Sequence, residues 1–226
     1  MHIIPLSELQ FKNYSNWHSK KNYKQSVEYA KLKMQNGYTP LYLGLSDDNE
    51  NIHAATLILE KKINNKHKYG YVPNGYLIDF YHLELLKTFT DALKIYLKKE
   101  NFVYVRISPL IDYQVYDSDF ILKENNSEII QEFEKMGYEF IPNTSKYKMV
   151  LHAGDIKTTY QNFKRSLRRN INNCLKKGIV VYQGSDRDKL DFLNLVENKA
   201  RYQKMMELFS TRENNFEFYL AKIQPE

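Results

Sequence analysis

The sequence predicts an α/β or α+β protein in which helices cover a mixed β-sheet. Segments with helical periodicity alternate with short strand-like segments, an order typical of helices packed on a sheet. The content of 42% hydrophobic and 27% charged residues is that of a globular protein. The pattern restarts near "IPNTSK", where turn-forming residues cluster. We therefore predict two units, residues 1–145 and 146–226.

The first unit is predicted to begin with a helix and three strands. Apolar residues at three-to-four spacing, ending with Met34, indicate a helix over Lys24–Gly37. Strand-like segments begin at Pro40, Ile52 and Tyr69. The third reads "YGYVPNGYLIDF", in which aromatic residues typical of strands flank a Pro-Asn-Gly turn. The same rings could also line a binding surface.

Two helices and two strands complete the first unit and lead into the second. An apolar stripe predicts an amphipathic helix over His82–Asn101, followed by a short buried strand over Phe102–Ile107. A helix capped by Ser127 ends at Gly137. Another strand begins at Tyr147.

The second unit is predicted to contain helices and too few strands. A helix over Thr159–Lys177 places Cys174 on its apolar face, where we expect it to pack. A strand from Ile179, a helix over Arg187–Met206 and the start of one more helix in "NNFEFYLAKIQPE" follow. So small a sheet should expose apolar side chains, so the unit is expected to be truncated and to be less stable than the first or to pair with another copy. The side chains concerned are Leu190, Phe192, Leu195, Met205 and Leu208.

Positive charge is concentrated in one segment. Lys146 to Gly178 holds nine basic residues and one acidic residue, whereas the whole chain has a net charge of +6. Charged helix faces are commonly only solvated, but like charges four residues apart here lack compensating acids. This pattern indicates a polyanionic partner. The cations of the predicted helix are Lys164, Arg165, Arg168, Arg169, Lys176 and Lys177.

Several classes of chemistry have no motif in the chain. A single cysteine excludes an internal disulfide, and no HExxH, GxxxxGK[ST] or GxGxxG motif occurs. The Gly-rich loop with which acetyltransferases hold coenzyme A is also absent. We expect no metal and no cofactor. Without an 18-residue apolar run or a secretory signal, a cytoplasmic location is expected.

An ordered series of segments resembles the FemABX family. It consists of "KQSVEYAKLK", the Ile-x-Ala-Ala strand from Ile52, "YGYVPNGYLIDF", "YVRISP", "FEKMGYEF" and "KYKMVLHAG" leading into "FKRSLRRNINNCLKKGIVV". The family comprises peptidyltransferases that move amino acids from aminoacyl-tRNA onto the stem peptide of peptidoglycan precursors. This is a step in the synthesis of the cell wall, which maintains cell shape. The resemblance implies two tandem GNAT-like domains, the second incomplete.

The resemblance also implies binding residues. A lysine and an arginine that contact the precursor diphosphate correspond to Lys33 and Arg212, which should share one cleft. Tyr71 and Tyr76 would line the precursor groove, with Tyr76 where the family often has proline. Tyr104 and an aromatic residue from Phe218 or Tyr219 would flank the ligand. The six cations of the predicted helix would contact the tRNA backbone, and no catalytic residue is assigned.

Three functions remain open at this point. The first is the aminoacyl-tRNA-dependent transferase, with aminoacyl-tRNA and a UDP-linked or lipid-linked peptidoglycan precursor as partners and with peripheral membrane association. The second is a non-catalytic nucleic-acid-binding protein, and the third a GNAT-like N-acyltransferase, which the missing coenzyme A loop disfavours. Because family chains continue further, the 226 residues alone are expected not to catalyse transfer.

Overall fold

The structure, a computed structural model, describes residues 1–117, 119–141, 154–197, 199–200, 202–203 and 217–223. It divides into two compact units, Met1–Ile141 and Pro142–Glu226. The predicted boundary at 145 and the strand predicted from Tyr147 lie outside the described residues.

The first unit is a five-stranded mixed sheet with helices on both faces, as the sequence predicted. The strand order follows the chain, and only the fourth and fifth strands run parallel. The strands are β1 (His2–Pro5), β2 (Thr39–Ser46), β3 (Ile52–Lys62), β4 (Lys68–Pro73) and β5 (Phe102–Ser108). The helices are α1 (Glu8–Trp17), α2 (Val27–Met34), α3 (Leu83–Lys99) and α4 (Ser127–Lys135). A hairpin of β6 (Gln114–Tyr116) and β7 (Leu122–Asn125) precedes α4.

Alternation along the strands divides the core of the first unit into two layers. Leu57 and Leu59 of β3 face α1 and α2, whereas Ile58 faces α3 and α4, because successive side chains of a strand point to opposite faces. The predicted stripe of α3 is correct, since Leu86, Phe89 and Leu93 are buried. Each of these side chains stabilises the fold by about 1.5–3 kcal/mol relative to an exposed one.

Local sequence sets the helix starts of the first unit. Ser7 caps α1 in a capping box, with its Oγ accepting from the Gln10 N–H at 3.2 Å. Ser26 caps α2 by accepting from the Tyr29 N–H at 3.1 Å. The sequence reading missed β1, α1 and the β6–β7 hairpin, and it began α2 too early, because a short 3₁₀ turn over Tyr23–Gln25 precedes the cap.

Three details of the first unit were predicted wrongly. The strand β5 is not buried, since Val103 and Tyr104 are 60% and 54% exposed at the edge of the sheet. Met34 lies outside the α2 stripe and is exposed, because α2 buries Val27, Tyr29 and Ala30 instead. The residue before α4 is Asn126, whose Nδ2 donates to the Asp112 carbonyl at 2.8 Å, so Ser127 begins the helix and does not cap it.

The described part of the second unit contains a two-stranded antiparallel sheet and short helices. The elements are α5 (Ile156–Asn162), α6 (Arg165–Lys176), β8 (Ile179–Gln183), α7 (Lys189–Leu195) and β9 (Tyr219–Ile223), with β8 paired to β9. The helix predicted over Thr159–Lys177 is broken, because Phe163 and Lys164 have extended backbone with ψ of 145° and 147°.

The segment predicted as a final helix is a strand. Tyr219 pairs with Gln183 in β8, and the Phe218 carbonyl accepts from the Gly184 N–H at 2.8 Å. The Phe218 ring lies so close to Gly184 that a Cβ there would overlap it. Aromatic residues favour a strand at this position because they pack across the sheet.

The exposed apolar surface expected in the second unit is present in part. Leu190 and Leu195 are each 73% exposed, whereas Phe192 packs against Phe218 with ring centroids 5.1 Å apart. The helix predicted over Arg187–Met206 is interrupted: α7 ends at Leu195, and residues 199–200 and 202–203 are helical again. Met205 and Leu208 lie outside the described residues.

Candidate functional site

Tyrosines of β4 and β5 form one surface on the side of the sheet that carries α2. Tyr69 pairs with Tyr104 and Tyr71 pairs with Arg106 in the parallel register, so the four side chains share one face. The rings of Tyr69 and Tyr104 stack with centroids 5.3 Å apart and planes 9° from parallel. The outer face of the Tyr104 ring is therefore available to a planar ligand group.

Lysines and a fourth tyrosine border this surface. Lys61 is the register partner of Tyr69, and its Nζ lies 5.3 Å from the centroid of the Tyr38 ring. The hydrogen bond between the Tyr38 and Tyr69 side chains raises the pKa of the Tyr69 hydroxyl. The Lys33 carbonyl accepts from the Tyr38 N–H at 3.3 Å, which fixes the last turn of α2 beside the tyrosines. We name this surface the tyrosine face: Lys33, Tyr38, Lys61, Tyr69, Tyr71, Tyr104 and Arg106.

The tyrosine face combines stacking surface with fixed positive charge. The Lys33 Nζ lies 5.2 Å from the centroid of the Tyr29 ring, a cation–π contact that holds the ammonium group at the surface. Arg106 is exposed and offers a planar fork to an anion. Such an arrangement suits a ligand that carries a planar ring and phosphate groups.

A small cavity lies beyond the ends of the two parallel strands. Its volume is about 110 Å³, and Lys20, Tyr81, Asp112 and Glu124 are among its lining residues. The Lys20 Nζ lies 5.8 Å from the centroid of the Tyr81 ring. Crevices at the carboxyl ends of parallel strands are common ligand sites, and the lining of this one holds two carboxylates and one ammonium group.

The helix α6 exposes cations on almost every side. Five of its six predicted cations are exposed, and Arg168 is half-buried. Lys164 and Arg165 stand at the start of the helix, whose first turn holds no acidic residue, so they add to the positive end of the helix dipole. Within the described residues, no ion pair includes any of these cations. The helix is therefore suited to bind a polyanion.

Cys174 of the same helix is exposed, so the prediction that it packs is wrong. None of the α6 side chains is buried, and α6 is not continuous with α5. The described residues contain no group of three His, Cys, Asp or Glu side chains that could hold a metal ion.

Comparison with known proteins identifies the family. The model of the FemAB family matches residues 6–224, which is almost the whole chain. The chain belongs to the FemAB family. The resemblance found in the ordered sequence segments is thus confirmed.

Curated FemAB relatives are aminoacyltransferases of staphylococci. Aminoacyltransferase FemB of Staphylococcus epidermidis is 28% identical over 216 residues, which cover 89% of this chain and 51% of the relative. Aminoacyltransferase FemA of Staphylococcus aureus is 25% identical over 235 residues, which cover 91% of this chain and 56% of the relative. The chain spans about half the length of these relatives.

A solved structure, that of FemX, has the same fold. The crystal structure of FemX covers 99% of this chain, and this chain covers 58% of FemX, with a TM-score of 0.75 and 16% sequence identity. The mixed sheet flanked by helices is therefore the fold of FemX, as expected for a FemAB chain. Among the described helices, none is both long and apolar enough to cross a membrane.

The structure brings three of the six predicted precursor-binding residues of this FemAB chain to one surface. Lys33, Tyr71 and Tyr104 all belong to the tyrosine face. Tyr219 lies on β9 of the second unit, where it is 57% exposed and donates to the Glu217 carboxylate at 2.9 Å. Arg212 lies outside the described residues, so its position in a shared cleft with Lys33 stays a prediction.

Tyr76 is a core residue and lines no surface of the first unit. Its side chain is fully buried, its ring meets Phe89 edge to face at 4.7 Å, and its hydroxyl hydrogen-bonds the Tyr138 hydroxyl at 2.7 Å. Burial raises the pKa of Tyr76 well above its usual value. The resemblance of the segment "YGYVPNGYLIDF" to the family assigned Tyr76 to a groove, whereas the chain after β4 turns inward and Leu77 bridges to Ala55.

We expect Tyr76→Phe and Tyr138→Phe each to destabilise the first unit by about 1–2 kcal/mol, because each leaves the partner hydroxyl without its hydrogen bond. The double variant should lose less than the sum of the two, since it removes both polar groups. Urea unfolding of the four proteins measures this coupling. If the losses of stability in the two single variants add up to that of the double variant, the hydrogen bond between the two hydroxyls contributes nothing to stability.

Sequence reasoning missed four members of the tyrosine face. Tyr38, Tyr69, Lys61 and Arg106 were not selected, although strand alternation predicts that Tyr69 shares a face with Tyr71 and that Arg106 shares one with Tyr104. The missing information was the pairing of β4 with β5 in the Tyr69–Tyr104 register. Because that pairing is parallel and spans α3, no short-range pattern reveals it.

Proposed function

We propose that the chain is part of a cytoplasmic aminoacyltransferase that moves an amino acid from aminoacyl-tRNA to the stem peptide of a peptidoglycan precursor. The observation that most supports this proposal is the tyrosine face. It occurs in a chain whose FemAB relatives are named aminoacyltransferases. In this proposal the face holds the precursor, with Tyr104 against a planar ring and Lys33 and Arg106 against phosphate.

The proposed reaction needs positioning more than covalent catalysis. An amine of the stem peptide attacks the carbonyl carbon of the aminoacyl ester, the new amide bond forms, and the ester oxygen leaves with the tRNA. The amine loses one proton, and the tRNA hydroxyl gains one. Holding both substrates in place supplies a large part of such an acceleration. The cations of α6 are suited to hold the tRNA phosphates.

The first test of the proposal is binding of a UDP-linked muramoyl peptide. The ligand should raise the unfolding temperature of the chain, because ligands that bind only the folded state stabilise it. A DNA duplex of matched charge is the comparison ligand. Protection by the duplex but not by the precursor would favour the alternative of a non-catalytic nucleic-acid-binding protein.

We expect Lys33→Ala to weaken precursor binding about tenfold, since it removes one charge-assisted contact to phosphate. Lys87→Ala is the control, because Lys87 is a helical lysine of α3, which covers the other face of the sheet; Lys87 is exposed, whereas Lys33 is half-buried. Calorimetric titration of both variants measures the difference. Equal affinities of the two variants would remove Lys33 from the site.

A further inference from the structure

The end of α1 exposes the single tryptophan of the chain. Trp17 is the last residue of the helix and is 89% exposed. Leu9, which lies eight residues before Trp17 on the same side of the helix, is 67% exposed. Leu9, Asn13 and Trp17 thus lie along one outer stripe of the helix. This stripe contributes nothing to the core, which α1 contacts through Phe11.

The segment that follows Trp17 is basic. Residues 18–24, "HSKKNYK", contain three lysines and no acidic residue. Lys21 and Lys24 are exposed, and no ion pair among the described residues includes either of them. The neighbouring helical lysines differ, because Lys12 pairs with Glu28 and Lys31 pairs with Glu8.

Aromatic rings complete the same surface. Tyr14 stacks on His18 with centroids 5.5 Å apart, and these two residues border a shallow hollow with Trp17. Tyr23 is 46% exposed beside Lys24. Asp79 acts on His18 from the loop after β4, and Glu28, which pairs with Lys12, acts on Tyr23. The basic segment 18–24 itself contains no acidic residue, so the surface remains positive.

We propose that this surface, formed by Leu9, Trp17, Lys21, Tyr23 and Lys24, docks the protein on an anionic lipid bilayer. Tryptophan and tyrosine favour the boundary between head groups and acyl chains, because their rings are apolar and their N–H or O–H groups are polar. Lysines around them contact anionic head groups, and their aliphatic stems follow the apolar surface.

A bilayer fits this surface better than a nucleic acid does. A nucleic-acid site would need cations in register with phosphates, whereas an exposed leucine and tryptophan on one helix stripe offer apolar area that a phosphate backbone cannot cover. Docking here is independent of the proposed transferase activity. If both hold, the surface carries the protein to a membrane where a lipid-linked acceptor would be located.

The single tryptophan provides the test. The complete 226-residue chain is titrated with vesicles of equal parts phosphatidylglycerol and phosphatidylcholine, and with vesicles of phosphatidylcholine alone. Tryptophan emission should shift to shorter wavelength only with the anionic vesicles, and brominated acyl chains should quench it. No shift and no co-sedimentation at low salt would overturn the proposal.

Matched variants separate this surface from general charge. Lys21→Gln with Lys24→Gln should weaken partitioning into anionic vesicles about thirtyfold, roughly fivefold for each lysine. Lys98→Gln with Lys99→Gln removes the same charge from exposed positions of α3 and should have little effect. Equal losses in the two pairs, or a loss only on changing Arg168 and Arg169, would show that the proposed surface does not dock.

A second copy of the chain is the competing occupant. If it covered Trp17, the emission would shift with protein concentration in the absence of lipid, and that result would also overturn the proposal. Concentration-independent emission of exposed tryptophan without lipid, followed by the shift on anionic vesicles, is the expected result.

Discussion

Gln25→Leu is expected to destabilise the first unit by about 3 kcal/mol, because it leaves buried backbone groups without hydrogen-bond partners. The Gln25 side chain is 1% exposed and lies between β3 and β4. Its Oε1 accepts from the Leu57 N–H at 2.8 Å, and its Nε2 donates to the Pro73 carbonyl at 2.7 Å. Each orphaned group costs about 1–3 kcal/mol, and leucine offers neither a donor nor an acceptor.

The position of Gln25 explains the size of this effect. The β3–β4 ladder runs from Lys62 with Lys68 to Leu59 with Tyr71. In the same register the next hydrogen-bonding groups would be those of Leu57 and Pro73, and the Gln25 amide stands between them. It replaces a ladder contact at the point where the strands separate, so it holds β4, the strand that carries Tyr69 and Tyr71, against β3.

Urea unfolding measures the loss, and Gln131→Leu is the matched control. Gln131 lies on α4 with an exposed side chain, so its replacement should change stability by no more than about 0.5 kcal/mol. Gln25→Glu keeps the acceptor for Leu57 but places a carboxylate near the Pro73 carbonyl. That environment raises the carboxyl pKa, so its deficit should shrink as the pH falls and the protonated acid donates again. Equal stability of Gln25→Leu and Gln131→Leu would contradict this account.

The parts of the fold that the sequence predicted are those set by local pattern. The helix α3 and the strands β2, β3 and β4 were predicted because their apolar residues repeat with a clear period. Where tertiary contacts decide, prediction failed. The segment of β9 is a strand through its pairing with β8, and β5 is exposed because it forms the edge of the sheet.

In the candidate site, too, residues in recognisable sequence segments were predicted, and residues that depend on tertiary contacts were missed. Lys33, Tyr71 and Tyr104 were predicted through the resemblance of their segments to a family, whereas Tyr38 and Lys61 required the register between strands. Gln25 could not be predicted, because a glutamine near a helix start is normally solvated and only the separation of β3 from β4 gives it buried partners. Tyr76 was misassigned because its burial depends on Tyr138, which lies 62 residues later.

Arg168→Glu with Arg169→Glu is expected to weaken tRNA binding about a hundredfold at roughly 0.1 M salt. Each cation that neutralises a phosphate releases counterions, so losing two should reduce the slope of log affinity against log salt by about 2. Both residues lie in α6, whose start carries Lys164 and Arg165 without acidic neighbours. Filter binding across a salt series measures affinity and slope together.

The same reversal should not harm the fold. Lys164 with Arg168, and Arg165 with Arg169, are like charges four residues apart, so replacing the later member of each by glutamate turns repulsion into attraction worth about 0.2–0.5 kcal/mol per pair. Acidic side chains near the start of a helix are also favourable. A binding loss together with unchanged or higher stability would therefore come from the tRNA contact itself.

Two controls show whether the effect of the Arg168→Glu, Arg169→Glu double variant comes from contacts of α6 with tRNA phosphates. Lys98→Glu with Lys99→Glu makes the same change in net charge on α3 and should leave the slope almost unchanged, because long-range charge alone is screened within about 10 Å at 0.1 M salt. Different tRNAs should lose affinity by the same factor, since phosphate contacts carry no sequence information. An unchanged slope would exclude α6 from tRNA binding, and a loss confined to one tRNA would mean that the helix reads bases.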